Sequence, residues 1–343
     1  MHIASGCSVS MLRSSARARV APCRVGVGTT IVITAIAGGV GAAKLLRGLV
    51  PAVSPKPVTA IVNTGDDTVV HGLHVSPDLD TVSYTLSGRS DDERGWGLAG
   101  ETWEAMGALE DLGGEAWFRL GDRDLGTHLY RTGRLRDGAT LSEVTDSICR
   151  AMALPATLLP MTNDCVRTRL TLRGGPEVAF QDYFVRLRHE VPVSSVRFVG
   201  ADTARPAPGV LEAIERSEAI VICPSNPIVS VGPILAIPGI ADALRARRDN
   251  VVAISPIVAG AALKGPADHL MEELGHESSV AGVARIYTDI ASTLIIDDAD
   301  AGRSADVEAA GMRCIVTATV MADHRLAVAL GSASYKAASS SAA

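Results

Sequence analysis

The sequence has few aromatic residues and no long apolar segment. Aromatic residues make up 3% of the 343 residues, although 47% are hydrophobic. We therefore expect a core built mainly from Val, Ile, Leu and Ala, as in doubly wound α/β folds. No apolar run approaches the roughly 18 residues of a membrane-spanning helix, so no membrane partner is expected.

The six cysteines form no C-x-x-C pair. Their scattered spacing predicts neither a zinc site nor a disulfide scaffold. A reducing, cytoplasmic location fits this pattern best. The cysteines are Cys7, Cys23, Cys149, Cys165, Cys223 and Cys314.

Acidic residues are absent from the first 65 positions, which carry seven Lys or Arg. The remaining 25 basic and 38 acidic residues give a charge of −13, within a total of −6. An acidic body disfavours nucleic-acid binding, which requires a basic face. Residues 1–29 lack apolar periodicity and are expected to be a disordered extension. An Arg- and Ser-rich transit peptide is the alternative.

The segment from residue 31 to residue 62 predicts a βαβ unit. Residues 31–36 predict a buried strand, residues 42–50 a helix closed by Pro51, and residues 58–62 a second strand. Parallel strands joined by a helix imply a right-handed crossover. The same alternation returns after about residue 195. Further strands are predicted at residues 219–223, 251–255, 293–296 and 314–320.

The middle of the chain has a different pattern. Residues 140–143 (TLSE) form a capping box, which predicts the start of a helix. Residues 166–173 alternate apolar and polar side chains, and the turn at 174–176 predicts an antiparallel hairpin with residues 178–185.

These patterns predict one Rossmann-like α/β domain over residues 30–330. Its sheet is expected to be mostly parallel, with helices on both faces. A smaller α+β insert with an antiparallel hairpin is expected at about residues 86–190. The Ala- and Ser-rich residues 331–343 are expected to be disordered.

A glycine-rich turn follows the first predicted strand. Gly38, Gly39 and Gly41 precede Lys44, at the start of the predicted helix. Glycines let the backbone approach a phosphate, and the helix N-terminus supplies N–H donors. A nicotinamide site is disfavoured because no Asp or Glu ends the second strand. The Walker A pattern is also absent.

Four aspartates follow within fifteen positions, namely Asp66, Asp67, Asp78 and Asp80. The first pair lies at the predicted carboxyl end of strand two, the edge at which open α/β sheets bind ligands. Mg²⁺ commonly binds one or two carboxylates together with substrate phosphates. The cluster therefore predicts metal-assisted phosphate chemistry. The alternative is local: an Asx turn at the first pair and a helix cap at Asp78.

Three other loops add polar groups to the same predicted edge. Residues 118–124 (FRLGDRD) carry Arg119, which is suited to a phosphate or to an aromatic ring face. Residues 224–227 (PSNP) present Ser225 and Asn226 between two prolines, and Lys264 is a possible phosphate-binding cation.

Taken in order, these segments resemble the 2-phospho-L-lactate transferase family of coenzyme F-420 biosynthesis. The resemblance covers roughly residues 31–330. The segments that carry it are residues 37–41 (AGGVG), 63–67 (NTGDD), 77–81 (PDLDT), 120–124 (LGDRD), 224–227 (PSNP) and 264–266 (KGP).

The resemblance implies a transfer of a phospho-lactyl or phospho-enolpyruvyl group from a guanosine diphosphate-linked donor. The acceptor would be the ribityl hydroxyl of 7,8-didemethyl-8-hydroxy-5-deazariboflavin, with GMP released. Mg²⁺ is the implied cofactor and a homodimer the implied assembly.

The resemblance also implies roles for individual residues. The catalytic candidates are Asp66 and Asp80. The metal ligands would be Asp66, Asp67 and Asp80. The deazaflavin would contact Asn63, Thr64, Asp80 and Arg119. The donor would be held by Gly38, Gly39, Gly41, Lys44, Ser225, Asn226 and Lys264.

A second class of protein shares a related glycine-turn start. Gluconeogenesis factors would bind a nucleotide sugar and act as regulators rather than as enzymes. The segments around Asp80 and at residues 120–124 favour the transferase.

Overall fold

The computed structural model describes residues 32–263 and 265–340. Two single-turn π segments lie at Asp182–Arg186 and Pro227–Val231. The strands of the described residues are β1 (Val32–Ala37), β2 (Val58–Val62), β3 (Thr68–Val70), β4 (Leu73–Val75), β5 (Thr157–Pro160), β6 (Arg167–Leu172), β7 (Glu177–Ala179), β8 (Val193–Val199), β9 (Ser217–Ile222), β10 (Val251–Ile254), β11 (Ile257–Val258), β12 (Ala261–Ala262), β13 (Thr293–Ile296) and β14 (Arg313–Val316).

Helices separate most of the strands. In the described part of the chain, no single helix is long and apolar enough to cross a membrane, although the bent pair Pro227–Leu235 and Ile240–Ala246 passes that test by length and composition. The α-helices are α1 (Gly39–Val53), α2 (Pro77–Leu86), α3 (Glu104–Asp111), α4 (Asp122–Arg136), α5 (Leu141–Ala151), α6 (Val210–Arg216), α7 (Gly232–Leu235), α8 (Ile240–Ala246), α9 (Ala267–Glu273), α10 (Val280–Tyr287), α11 (Ser304–Ala309) and α12 (His324–Ser339).

Seven parallel strands form the central sheet, in the order β5-β2-β1-β9-β10-β13-β14. Along the chain, strands are added from β1 through β2 to β5 at one edge of the sheet, and then from β9 through β10 and β13 to β14 at the other edge. The direction of winding therefore reverses between β1 and β9. In open α/β sheets, ligands bind in the crevice at the carboxyl ends of the strands on either side of such a point.

Both faces of this sheet are covered, as the apolar strands predict. In β1, Ile33 and Ala35 pack into one buried cluster, whereas Ile36 packs into another on the opposite face. Alternate side chains of a strand point to opposite faces. Both clusters are built almost wholly from aliphatic residues, so the predicted α/β architecture is confirmed.

The predicted hairpin is present, but its second strand ends at Ala179 and a π segment replaces the part predicted up to residue 185. The insert also has a different extent. Strands β7-β6-β8 form a separate antiparallel sheet. Its third strand, β8, lies beyond residue 190, and β5 returns to the central sheet within the predicted insert. Sequence periodicity identifies a strand but not the sheet that it joins, which explains the difference.

The C-terminal segment is helical, contrary to the prediction of disorder. Helix α12 begins where the Asp323 carboxylate accepts a hydrogen bond from Leu326 N at 2.8 Å, and it packs along α1. A Cβ on Gly331 would lie 2.7 Å from Leu49 Cα, so glycine permits this approach where alanine would not. The Ala- and Ser-rich composition therefore reflects close helix packing. Helix α1 also includes Pro51, in its last turn, rather than ending before it.

Candidate active site

A cleft of about 1010 Å³ lies at the carboxyl edge of the central sheet. One wall comes from the ends of β1, β9 and β10 and from the loop after β14. The other comes from α2, the start of α4 and the loops that precede α3 and α4. The segment that follows β7 of the small sheet also lines it, through Phe180, Gln181, Phe184 and Val185. The cleft thus coincides with the reversal of winding between β1 and β9.

The glycine turn, which follows β1, is part of the first wall of the cleft. Gly39 adopts a φ of +71°, and a Cβ on Gly41 would lie 2.3 Å from the carbonyl oxygen of Pro224. The Ser225 hydroxyl donates to the carbonyl oxygen of Gly38 at 2.7 Å. The two loops therefore hold each other at the N-terminus of α1, where backbone N–H groups and the helix dipole favour an anion.

The two ends of the Asn226 side-chain amide have different surroundings in this wall. Its side-chain oxygen accepts hydrogen bonds from Ile228 N and Val229 N, at 2.9 and 3.3 Å. Its side-chain nitrogen is buried without a hydrogen-bond partner among the described residues. That amide therefore has a donor available for a ligand in the cleft. Lys44 also lines the cleft, and Lys264 lies outside the described residues.

Two buried carboxylates share one amide beside the glycine turn. The side-chain nitrogen of Asn63 donates to Asp66 Oδ2 at 3.1 Å and to Asp78 Oδ2 at 3.0 Å. Burial, followed by repulsion from Asp78, holds the pKa of Asp66 well above its ordinary value. Burial, together with the charge of Asp67, raises the pKa of Asp78 to about 7, although hydrogen bonds from Asn63 and Gly39 oppose this.

Asp67 lies behind these two side chains. Its Oδ2 accepts hydrogen bonds from the Ser76 hydroxyl at 2.7 Å and from His74 Nε2 at 2.9 Å. Asp66 and Asp78 line the cleft, whereas Asn63, Thr64 and Asp67 do not. Asn63 therefore lies outside the lining of the cleft and positions the carboxylates of Asp66 and Asp78.

The donor set of this cluster fits a hard divalent cation. Oδ1 of Asp66 and Oδ1 of Asp67 are both buried with no hydrogen-bond partner in the part of the chain that the structure describes. A buried carboxylate oxygen without a donor is costly. Carboxylate oxygens are also the ligands that Mg²⁺ prefers.

Asp80 is bound by a buried arginine. Arg131 Nη1 donates to Asp80 Oδ2 at 3.1 Å, and Nη2 donates to Asp80 Oδ1. The guanidinium of Arg131 is itself buried, and the charge of Asp80 contributes to raising its pKa against the opposing effect of burial. Because this cation already compensates Asp80, we expect its carboxylate to be a weaker metal ligand than that of Asp66.

A polar network extends from Arg131 to the cleft. Its Nη1 lies 3.3 Å from His128 Nδ1, which must accept because a guanidinium only donates. His128 Nε2 then carries the proton and lies 3.3 Å from Asp124 Oδ1, an electrostatic contact without the geometry of a hydrogen bond. The Tyr84 hydroxyl donates to the same oxygen at 2.5 Å.

One group in the described ranges, Asp80, Asp124 and His128, places three possible ligand atoms within 4.8 Å of one another. A cation there would lie beside the guanidinium of Arg131. We therefore interpret this group as a hydrogen-bonding network rather than a metal site. Asp124 lies in the segment 120–124 that carries the family resemblance, but neither Asp124 nor His128 nor Arg131 is among the predicted site residues. Their spacing of four and three residues on one face of α4 was the available signal.

Six of the twelve aromatic residues line this cleft. The Arg119 guanidinium lies 5.5 Å from the ring centre of Trp103. Trp96 and Trp117 line the same wall, and Phe180 and Phe184 stack in the segment opposite. A flat, apolar surface therefore adjoins the carboxylates.

Comparison with known proteins identifies the family. The family model for 2-phospho-L-lactate transferase CofD matches residues 33–320. The chain belongs to this family. As a member of the CofD family, it is a transferase, and the matched region contains the whole cleft except two residues of its outer loop, Met321 and Ala322.

Several relatives of the CofD-family chain carry the name phosphoenolpyruvate transferase. The protein of Kitasatospora aureofaciens is 46% identical over 297 residues, covering 85% of this chain and 92% of the relative. That of Thermobifida fusca is 42% identical, covering 88% and 96% of the two chains. That of Mycolicibacterium smegmatis is 42% identical, covering 77% and 86%.

Solved structures share the fold at lower identity. Two crystal structures of protein BH3568 from Bacillus halodurans, one described as a member of the UPF0052 family, give TM-scores of 0.55 and 0.57. The identities are 20% and 19%. The matches cover 84% and 89% of this chain, and 93% and 99% of the other. This likeness supports the architecture alone.

Proposed function

We propose that this CofD-family transferase moves a phospho-enolpyruvyl group from a guanosine diphosphate-linked donor to the ribityl hydroxyl of 7,8-didemethyl-8-hydroxy-5-deazariboflavin. GMP leaves, and the product is an intermediate of coenzyme F-420 biosynthesis. The resemblance left the lactyl and enolpyruvyl arms open. The names of the relatives from Kitasatospora aureofaciens and Thermobifida fusca favour the enolpyruvyl arm.

One observation carries the proposal. A glycine turn at a helix N-terminus and a buried carboxylate cluster lie side by side in one cleft, which also has an aromatic wall. The glycine turn suits the phosphates of a donor, the carboxylate cluster suits a divalent cation, and the aromatic wall suits a flat ring system. A reaction between a diphosphate donor and a tricyclic alcohol needs all three.

On the donor side, the backbone of the glycine turn and the side-chain amide of Asn226 would bind phosphate oxygens. Ser225 would keep the turn in place through its bond to Gly38. Fixed donors need no reorganisation when negative charge develops on the transferred group, which is the main source of catalysis in phosphoryl transfer.

On the metal side, Asp66 and Asp67 would hold Mg²⁺, with Asp78 beside them. When bound, the ion would neutralise charge on the phosphates and orient the displacement. Asp80, fixed by Arg131, would accept a hydrogen bond from the attacking hydroxyl. Asp66 and Asp80 remain the candidates for accepting its proton.

The decisive experiment incubates the protein with the deazaflavin, Mg²⁺ and each of the two donors, and measures product mass. We expect the mass of the enolpyruvyl product together with stoichiometric GMP. If product formed only from the lactyl donor, the transferred group would be phospho-lactyl instead of phospho-enolpyruvyl. Binding of a nucleotide sugar with no transfer from either donor would favour the regulatory alternative.

A further inference from the structure

We propose that Asp124 is a second carboxylate that binds the acceptor, accepting a hydrogen bond from a hydroxyl next to the one that reacts. This inference rests on the proposed function, and it names the part of the acceptor that the site selects. The preferred acceptor would carry a chain of several hydroxyls rather than a single alcohol.

The two oxygens of Asp124 have different surroundings. Oδ1 faces the hydroxyl of Tyr84 at 2.5 Å and His128 Nε2 at 3.3 Å. Within residues 32–263 and 265–340, no hydrogen bond is made to Oδ2. The side chain keeps 12% exposure and lines the cleft, so this exposed part faces the space where a ligand would lie.

The network fixes the orientation of this carboxylate. Tyr84 is buried on α2, and His128 is buried one turn beyond Asp124 on α4. Asp124 N also donates to Glu101 Oε1 at 2.9 Å, which holds the first turn of α4. The hydrogen bond from Tyr84 and the nearby imidazole of His128 therefore pre-organise the carboxylate, and such sites discriminate strongly between ligands.

Asp124 and Asp80 are close enough to bind one flexible chain. An oxygen of each lies within 4.8 Å of the other and of a ring nitrogen of His128. Both carboxylates line the cleft, on adjacent helices. Neighbouring hydroxyls of a polyol can therefore donate to the two carboxylates together. A site built for hydroxyls rejects analogues that lack them, because its buried acceptors stay unpaired.

Asp122 provides the matched control from the same Leu-Gly-Asp-Arg-Asp run. Its oxygens accept hydrogen bonds from Thr102 Oγ1 and from Glu104 N and Ala105 N, and it does not line the cleft. Substituting it removes an equal charge from α4 without removing a group that faces the ligand.

The test compares wild type, Asp124→Asn and Asp122→Asn by calorimetric binding of the deazaflavin and by steady-state kinetics. We expect Asp124→Asn to weaken acceptor binding by about 10- to 100-fold, as for a hydrogen bond to a charged group. Donor binding and kcat at saturating acceptor should change much less. Tyr84→Phe should give a smaller loss of the same kind, because it releases Oδ1 without removing the carboxylate.

An acceptor that lacks one ribityl hydroxyl completes the test. The analogue should bind wild type weakly, and Asp124→Asn should cause little further loss for the analogue that lacks the contacted hydroxyl. Equal acceptor binding by wild type and Asp124→Asn would overturn the inference, as would a changed Mg²⁺ requirement in place of a changed acceptor affinity. Wild type that binds the acceptor but transfers nothing would overturn the proposed function alone.

Discussion

At the scale of single residues, the pair of Asp80 and Arg131 links stability to chemistry. Both side chains are buried, and each neutralises the other. Asp80→Ala leaves a buried guanidinium without its counter-ion, which costs about 3–5 kcal/mol when one partner of a buried pair is removed. We therefore expect the variant to lose transfer activity and also to unfold at a lower urea concentration.

The exposed pair of Asp146 and Arg150 is the control, with side chains 60% and 72% exposed. Asp146→Ala should change the free energy of unfolding by less than about 1 kcal/mol. Equal urea midpoints for Asp80→Ala and Asp146→Ala would show that the buried guanidinium of Arg131 does not need the charge of Asp80 for the protein to stay stable.

A second prediction at this scale concerns Gly41. An alanine there would place its Cβ 2.3 Å from the carbonyl oxygen of Pro224, so the glycine turn and the loop after β9 must separate. Because these two loops form the donor side of the cleft, we expect Gly41→Ala to weaken donor binding by about 10-fold or more. Acceptor binding should change little.

Gly133, inside α4, serves as the control, because a Cβ added there would meet nothing within 4 Å among the described residues. Gly133→Ala should leave donor affinity unchanged and stabilise the helix by about 0.5–1 kcal/mol. Calorimetry with the donor would measure the affinity and urea unfolding the stability. Unaltered donor affinity in Gly41→Ala would contradict the role of the turn.

At the scale of elements, helices α1 and α12 pack more closely than the sequence suggested. A Cβ on Gly331 would lie 2.7 Å from Leu49 Cα and 2.8 Å from Leu49 N, and neither backbone atom can move independently of α1. Gly331→Ala should therefore lower stability by about 1–3 kcal/mol, as overpacking does. Thermal unfolding should show this as a lower midpoint.

Gly107→Ala in α3 is the matched substitution, since no atom of the described residues lies within 4 Å of the added Cβ. It should be neutral or slightly stabilising. A midpoint for Gly331→Ala at or above that of wild type would show that the two helices can separate without cost.

The order of elements was predictable, because apolar strands and amphipathic helices depend on local patterns. The strand at residues 293–296 was predicted with its observed bounds, and the capping box at Thr140 forms with both hydrogen bonds. Helix α12 was missed because small residues have no apolar periodicity. Its stability comes from contact with α1, which only the fold provides.

The same limit applies to the site. The glycine turn and the aspartates were recognisable because they are local in sequence. A helix cap at Asp78 is the local alternative, but its carboxylate accepts from the amide of Asn63, 15 positions away. The bond between Asp80 and Arg131 spans 51 positions. Such pairings depend on how helices α2 and α4 meet, and no local pattern specifies that.

At the scale of the whole molecule, the carboxylate cluster should make the stability of the metal-free protein depend on pH. The folded-state pKa of Asp78 is raised to about 7, so the folded protein retains a proton that the unfolded chain has already released. Its contribution is present below the unfolded value of about 3.9 and is lost as pH rises towards 7. The raised pKa of Asp66 acts in the same direction.

We therefore expect the metal-free protein to lose roughly 3 kcal/mol of stability from this group between about pH 5 and pH 8, measured by urea unfolding. Asp78→Asn should reduce this loss, because its amide oxygen can still accept from Asn63 but carries no charge. Mg²⁺ should stabilise wild type most at about pH 8, since a cation that binds only the folded state adds to its stability. The free energy of unfolding of wild type and of Asp78→Asn could instead fall equally with pH, and Mg²⁺ could stabilise neither protein. In that case the buried carboxylates do not repel one another in a way that a cation would relieve. The opposite result would show that the molecule tolerates buried like charges at this edge because a cation binds there.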